Sequence, residues 1–105
     1  MVQVSGTNYV ELGSSIKLIC NATGHHDAPD DVDWYRQGTM IQSNPRAGIM
    51  VSKKTTQRVL MSMLVIDSSR LADAGEYSCR TSAGDGASID VHILNGEWPG
   101  QCQCL

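Results

Sequence analysis

The sequence predicts an all-β fold: two antiparallel sheets packed face to face, built from seven or eight short strands. Three observations predict it. Apolar residues recur at every second position in short segments, the period that gives a strand one buried face and one wet face. Gly, Pro, Asn and Asp punctuate those segments, and no stretch carries the wider spacing of an amphipathic helix. Finally, Cys20, Trp34 and the run Asp73-Ala74-Gly75-Glu76-Tyr77-Ser78-Cys79 (D-x-G-x-Y-x-C) follow one another along the pattern.

Asn8 to Leu12 reads as a short first edge strand, ended at Gly13. Ser15 to Ala22 follows, with Ile16, Leu18 and Cys20 inward and Lys17, Ile19 and Asn21 outward. Gly24 to Asp31, rich in His and Asp and holding Pro29, is a loop. Val32 to Gln37 points Val32 and Trp34 inward, Asp33 and Tyr35 outward. Thr39 to Ser43 is expected as an extra edge strand before Asn44-Pro45 breaks the chain. Gly48 to Lys53 and Val59 to Ile66 come next, the second burying Leu60, Leu64 and Ile66. Gly75 to Thr81, a turn at Gly84-Asp85-Gly86, and Ala87 to Leu94 complete the set, with Ile89, Val91 and Ile93 inward.

A cysteine, a tryptophan in the next strand, and a second cysteine with tyrosine two residues before it resemble the core signature of the immunoglobulin superfamily. The resemblance implies a two-sheet immunoglobulin-like sandwich with Greek-key connections and one inter-sheet disulfide, Cys20–Cys79, against which Trp34 packs. Tyr77 then turns its hydroxyl back to the preceding turn, which Asp73 and Gly75 shape. A bridge enclosing about 60 residues contributes roughly 4 kcal/mol in the chain-entropy model, against a total stability of about 5–10 kcal/mol. The modest connection between the Val32–Gln37 and Gly48–Lys53 strands suits an I-set domain rather than a full variable domain.

Two segments, Arg70 to Cys79 and Ala87 to Glu97, resemble more narrowly the second immunoglobulin domain of the Dpr (defective proboscis extension response) proteins, invertebrate neuronal surface proteins with two such domains. The ending V-H-x-L-N-G-E at Val91–Glu97, with Pro99 just beyond, is the most specific element. Thr55-Thr56 and Asn8-Tyr9-Val10 fit more loosely. The resemblance covers most of residues 5–99 and is weakest in the Gly24–Asp31 loop. It implies recognition at neuronal surfaces by pairing with other immunoglobulin proteins. In that family the partner contact is made mainly by the first domain, so no partner-binding residue is carried over.

Composition agrees with one such domain. The chain has 105 residues, 41% of them apolar, enough for a single core. The expected organisation is one domain over 1–99 and a flexible C-terminal tail over 100–105. A net charge of −3 argues against nucleic-acid binding. No apolar run approaches the roughly 18 residues of a membrane span, and Met-Val-Gln-Val-Ser-Gly is not a signal peptide. Paired cysteines nevertheless imply an oxidising compartment. These facts are reconciled by an extracellular piece of a longer secreted or membrane-anchored chain, which meets the membrane only through parts absent here. Cys102 and Cys104, one residue apart, are the anomaly: bonding to each other would be strained. Interchain disulfides of a stalk compete with an arbitrary boundary, splice variant or cloning-derived tail. Prenylation at Cys102 conflicts with the disulfide, being cytosolic chemistry.

Five features are candidate sites. Asn21-Ala22-Thr23 is an N-glycosylation sequon whose Asn21 faces solvent by alternation. Val59 to Ile66 is apolar on both faces except for Ser62. Its outward Met61, Met63 and Val65, with Ile19 alongside, make a stripe where an antiparallel sheet is normally polar. A partner or neighbouring domain, a glycan on Asn21, and side chains of the Gly48–Lys53 strand or a loop lying over it compete to explain it, beside the reading that it has no role. On the opposite face Tyr35 and Arg80 are hot-spot residue types among Asp33, Gln37, Ser78, Ser88, Asp90 and His92, with no large apolar centre. His25, His26 and Asp27, with Asp30 and Asp31, read as a solvated loop rather than a metal site, because adjacent loop side chains rarely converge. Arg46 is a candidate salt-bridge partner for Asp73 at the lower end of the sandwich.

No nucleophile–base set or phosphate-cradling loop is present, so neither catalysis nor a small-molecule substrate nor a cofactor is expected. The expected function is that of a non-catalytic protein-interaction or spacer module of a surface recognition protein. Its partners are expected to be immunoglobulin-superfamily proteins or the neighbouring domain of its own chain. The alternatives are a module of another adhesion molecule or receptor, and a free-standing binder on the same scaffold. The last expects Tyr, Trp or Arg anchors in the loops, and Gly24–Asp31 and Ser82–Gly86 contain none.

Overall fold

Nine strands form two sheets in the computed structural model, which describes residues 1–95. The end of the V-H-x-L-N-G-E motif, Pro99 and the expected tail with Cys102 and Cys104 lie outside the described residues. One sheet has the order β1 (Val2–Gly6), β3 (Ile16–Thr23), β7 (Val59–Ile66), β6 (Ile49–Thr55). The other runs β2 (Tyr9–Glu11), β9 (Gly86–Leu94), β8 (Gly75–Thr81), β4 (Val32–Arg36), β5 (Thr39–Ile41). Pairing is antiparallel except between β2 and β9, which run parallel. The only helical elements among the described residues are two three-residue 3-10 turns, Pro45–Ala47 and Leu71–Asp73.

The alternation that predicts the strands also sets the core. β7 alternates partly exposed and buried positions along its whole length, and β3 does so from Leu18 onward. Their register places Leu18 opposite Leu64 and Ile16 opposite Ile66. Between the sheets lie Ile16, Leu18, Cys20, Val32, Trp34, Leu60, Leu64, Ile66, Tyr77, Cys79 and Val91, all nearly inaccessible. Ile89 and Ile93, expected inside with Val91, are only partly buried. Fully burying one such aliphatic side chain contributes about 1.5–3 kcal/mol, so this two-layer face is the main source of stability.

The amino terminus corrects the sequence reading. A single first edge strand was expected at Asn8–Leu12, but the edge is split in two, β1 pairing with β3 and β2 with β9. The division falls at Gly6, whose φ of +138° suits glycine alone. A Cβ there would also stand 2.3 Å from the Lys17 carbonyl oxygen. The chain bends at this point, leaves one sheet and joins the other, so both sheets gain an edge strand. Val2 and Val4, packed against the core at alternate positions, are the signal for β1.

Edge protection is visible on β6. Lys53 shares the inward parity of Ser62, its register partner, and Nζ reaches Asp31, with Asp33 Oδ1 at 4.0 Å. An inward-pointing charge on an outer strand disfavours pairing with another chain.

Candidate functional site

The signature residues assemble around one point. Cys20 on β3 and Cys79 on β8 are joined, with their Cα atoms 6.3 Å apart and both side chains inaccessible. Trp34 comes from β4, whose register sets it beside Cys79. Its indole N–H is a buried donor that needs an acceptor. Ser62 on β7 supplies it: Trp34 Nε1 donates to Ser62 Oγ at 2.9 Å, and Ser62 Oγ donates onward to the Ser52 carbonyl at 3.0 Å. Ser62 is fully buried, so three strands of both sheets are joined by this relay as well as by the disulfide. Ser62 was legible only as the polar exception in an apolar strand; its inward parity marks it as a residue with a partner inside.

At the lower end, Tyr77 donates its hydroxyl to the Asp73 carbonyl at 2.5 Å. Burial pushes the phenol above its ordinary range, partly offset by the nearby Arg36 charge, so it stays a neutral donor. The expected Arg46–Asp73 salt bridge does not form. The Asp73 carboxylate turns instead to the start of its own 3-10 turn and accepts the Arg70 backbone N–H at 2.8 Å. Arg36, not Arg46, closes this end: its guanidinium donates to the carbonyls of Ala72 and Ala74 and lies 5.9 Å over the Tyr77 ring. Register explains the exchange, because Arg36 is paired with Tyr77 across β4 and β8. Gly75, at φ +137°, carries the chain out of this turn.

The outer face of the four-stranded sheet carries the apolar stripe. Across β3 and β7, Ile19 stands opposite Met63, Asn21 opposite Met61, and Lys17 opposite Val65. Ile19, Met61, Met63 and Val65 are all partly exposed. Beyond Val65, Met50 on β6 is 66% exposed, which extends the stripe to the sheet edge. Among the described residues no strand folds over it, since the outward Ser52 and Lys54 of β6 are themselves exposed.

The outer face of the five-stranded sheet is polar. Tyr35 and Arg80 come together, the guanidinium carbon 6.0 Å from the ring centroid, and Ser88 donates to Glu76 at 3.3 Å. At the far edge Tyr9 stacks on His92 with centroids 4.9 Å apart. The His25–Asp31 loop is used structurally: Asp31 accepts the Val32 N–H at 2.9 Å and pairs with Lys53. The Lys53 hydrogen bond, and then the Val32 amide, hold the Asp31 carboxyl below its ordinary range. Among the described residues no three His, Cys, Asp or Glu side chains gather as a metal site.

A disulfide between facing sheets, a tryptophan buried beside it and a tyrosine bonded to its own turn define an immunoglobulin-type sandwich. The chain belongs to the immunoglobulin domain family, whose model matches residues 1–82. It is similar to the tyrosine-protein kinase receptor TYRO3 of Mus musculus, 29% identical over 84 residues; this is 80% of the chain but 9% of the receptor's length. Among solved structures it is similar to the crystal structure of Dpr2 Ig1-Ig2 in complex with DIP-Theta Ig1-Ig3. The TM-score is 0.73 and the identity 26%, with coverage of 90% of this chain and 49% of that one. The BTLA ectodomain shares the fold at a TM-score of 0.65 and 20% identity, covering 89% of this chain and 98% of that one.

Proposed function

We infer that this chain is an extracellular I-set-type module of a cell-surface recognition protein acting in neural cell–cell contact. It works without catalysis, as a spacer or protein-interaction domain, over residues 1–99 with a short tail over 100–105. The observation that carries the reading is the rigid, doubly tied core: the Cys20–Cys79 bridge together with the Trp34–Ser62–Ser52 relay. Such a bridge is characteristic of an oxidising compartment. Likeness to Dpr2, whose two immunoglobulin domains are seen in complex with DIP-Theta, supports an immunoglobulin-superfamily protein, or the neighbouring domain of the same chain, as the partner. The polar face bearing Tyr35 and Arg80 suits a modest contact better than a large obligate one.

A second reading, a module of a receptor ectodomain outside the nervous system, is favoured by the match to TYRO3. The domain count of the full-length chain separates the two.

The test is secretion from animal cells behind a leader, with Cys102→Ser and Cys104→Ser to remove stray thiols. Sedimentation velocity across micromolar concentrations and staining of live neuronal surfaces with the multimerised domain then follow. Secretion as a disulfide-bonded monomer that stains neurons alone is the expected result. Equal staining of non-neuronal cells would remove the neural role, and free Cys20 and Cys79 thiols in retained protein would remove the extracellular one.

A further inference from the structure

We propose that Asn21 carries an N-linked glycan that lies over the apolar stripe of the four-stranded sheet, shielding Met61, Met63 and Ile19 and leaving protein recognition to the other face. The inference rests on the extracellular reading above, because the modification occurs only on chains entering the secretory route.

The sequon meets its chemical requirements here. Asn21 and Thr23 share the outer face of β3, while Ala22 between them is fully buried. Neither the Asn21 side-chain amide nor the Thr23 hydroxyl makes a hydrogen bond among the described residues, so folding commits neither group elsewhere. The partner strand β7 is synthesised after β3, so the sequon is accessible before that ladder closes. The transfer joins Asn21 Nδ2 to the anomeric carbon of a lipid-diphosphate-linked oligosaccharide. The anomeric C–O bond breaks, the lipid diphosphate departs with the electron pair, and one Nδ2 proton is lost to base.

Register then decides where the sugar lies. Asn21 is flanked by Gln3 on β1 and Met61 on β7, and Ile19 and Met63 form the next outward pair. Directly opposed side chains stand about 4.5–5.5 Å apart at Cβ and diagonal ones about 7–8 Å. The first pyranose ring is therefore tethered beside Met61 and within diagonal reach of Met63. Its C–H face can cover the thioethers while its hydroxyls stay in water. Met50, at the far end of the stripe opposite Val65, stands two outward positions further along and outside that reach.

The experiment compares methionine oxidation with and without the sugar. The whole chain, secreted from animal cells, is weighed before and after enzymatic deglycosylation. Both forms, and an Asn21→Gln variant, are exposed to dilute hydrogen peroxide and peptide-mapped. The expected result is a glycan mass on Asn21 and a severalfold slower oxidation of Met61 and Met63 in the glycosylated form. Met40 and Met50, both exposed and away from Asn21, serve as internal references with unchanged rates. Unmodified Asn21 in secreted chain overturns the site. A glycan that leaves the Met61 and Met63 rates unchanged overturns the shielding. Because deglycosylation acts on already folded protein, the comparison stands even if the variant folds poorly. Retention in the cell with free Cys20 and Cys79 would strike the extracellular reading itself and the glycan with it.

Discussion

Replacing Ser62 by alanine removes one hydroxyl from the centre of the sandwich, and its cost is calculable from two bonds. The Trp34 indole N–H loses its acceptor at 2.9 Å, in a site where both residues are fully buried. An orphaned buried donor costs about 1–3 kcal/mol. The bond to the Ser52 carbonyl is also lost, at about 0.5–1.5 kcal/mol, but β6 is an edge strand where that carbonyl lies nearer water. The expected destabilisation is roughly 2–3 kcal/mol, a large share of the 5–15 kcal/mol typical of a domain. At about 4–8 °C per kcal/mol, it lowers Tm by roughly 8–24 °C. Urea unfolding followed by far-UV circular dichroism measures it, with an unchanged slope showing that compactness is unaltered. A double-mutant cycle isolates the indole term: in a Trp34→Phe background, with no N–H to orphan, Ser62→Ala should cost only about 1 kcal/mol. A Ser62→Ala loss below about 0.5 kcal/mol, or an equal loss in both backgrounds, would refute the relay.

Three further outcomes are expected. Cys20→Ala with Cys79→Ala should lower stability by about 4 kcal/mol for the 59-residue separation, read from the urea midpoint; a change under about 1 kcal/mol would refute the chain-entropy account. Gly6→Ala forces an unfavourable positive φ and a clash with the Lys17 carbonyl, so it should cost about 1–3 kcal/mol. Hydrogen exchange should quicken in β1 first, and unaltered β1 protection would contradict the assigned bend. Finally, the Asp31 carboxyl is held below its ordinary value in the folded state, so its contribution is present above the unfolded value of about 3.9 and is lost as pH falls through the lowered folded one. Both partners are more than a third exposed, which limits the effect to about 0.2–1 kcal/mol. Asp31→Asn should therefore destabilise at neutral pH and not in strong acid, and a loss persisting in acid would assign it to something other than charge.

Strand existence was legible wherever a period of two coincided with burial on one face. Val59–Ile66 and Gly75–Thr81 have the boundaries expected of them, while Ser15–Ala22 and Val32–Gln37 shift by a residue at their ends. The disulfide and the neighbourhood of Trp34 were legible because Cys20, Trp34 and the D-x-G-x-Y-x-C run resemble the immunoglobulin core signature, which implies both. Arg46 was misread for the opposite reason: an arginine near a strand end has many possible acceptors, and choosing among them needs the position of Arg36 relative to the turn. The split first edge strand was missed because Gly6 shows as an ordinary glycine until the Lys17 carbonyl is set against it.

By itself, then, the sequence determined the all-β class and most of the core, because burial and alternation are properties of local pattern, and its likeness to the immunoglobulin signature implied the Cys20–Cys79 bridge. Only the tertiary structure decided that Ser62 receives the Trp34 indole, that Arg36 closes the lower turn, that β1 and β2 part company, and that Asn21 stands against Met61. Each of those depends on register between segments far apart in the chain, and a shift of one residue would turn every side chain to the other face.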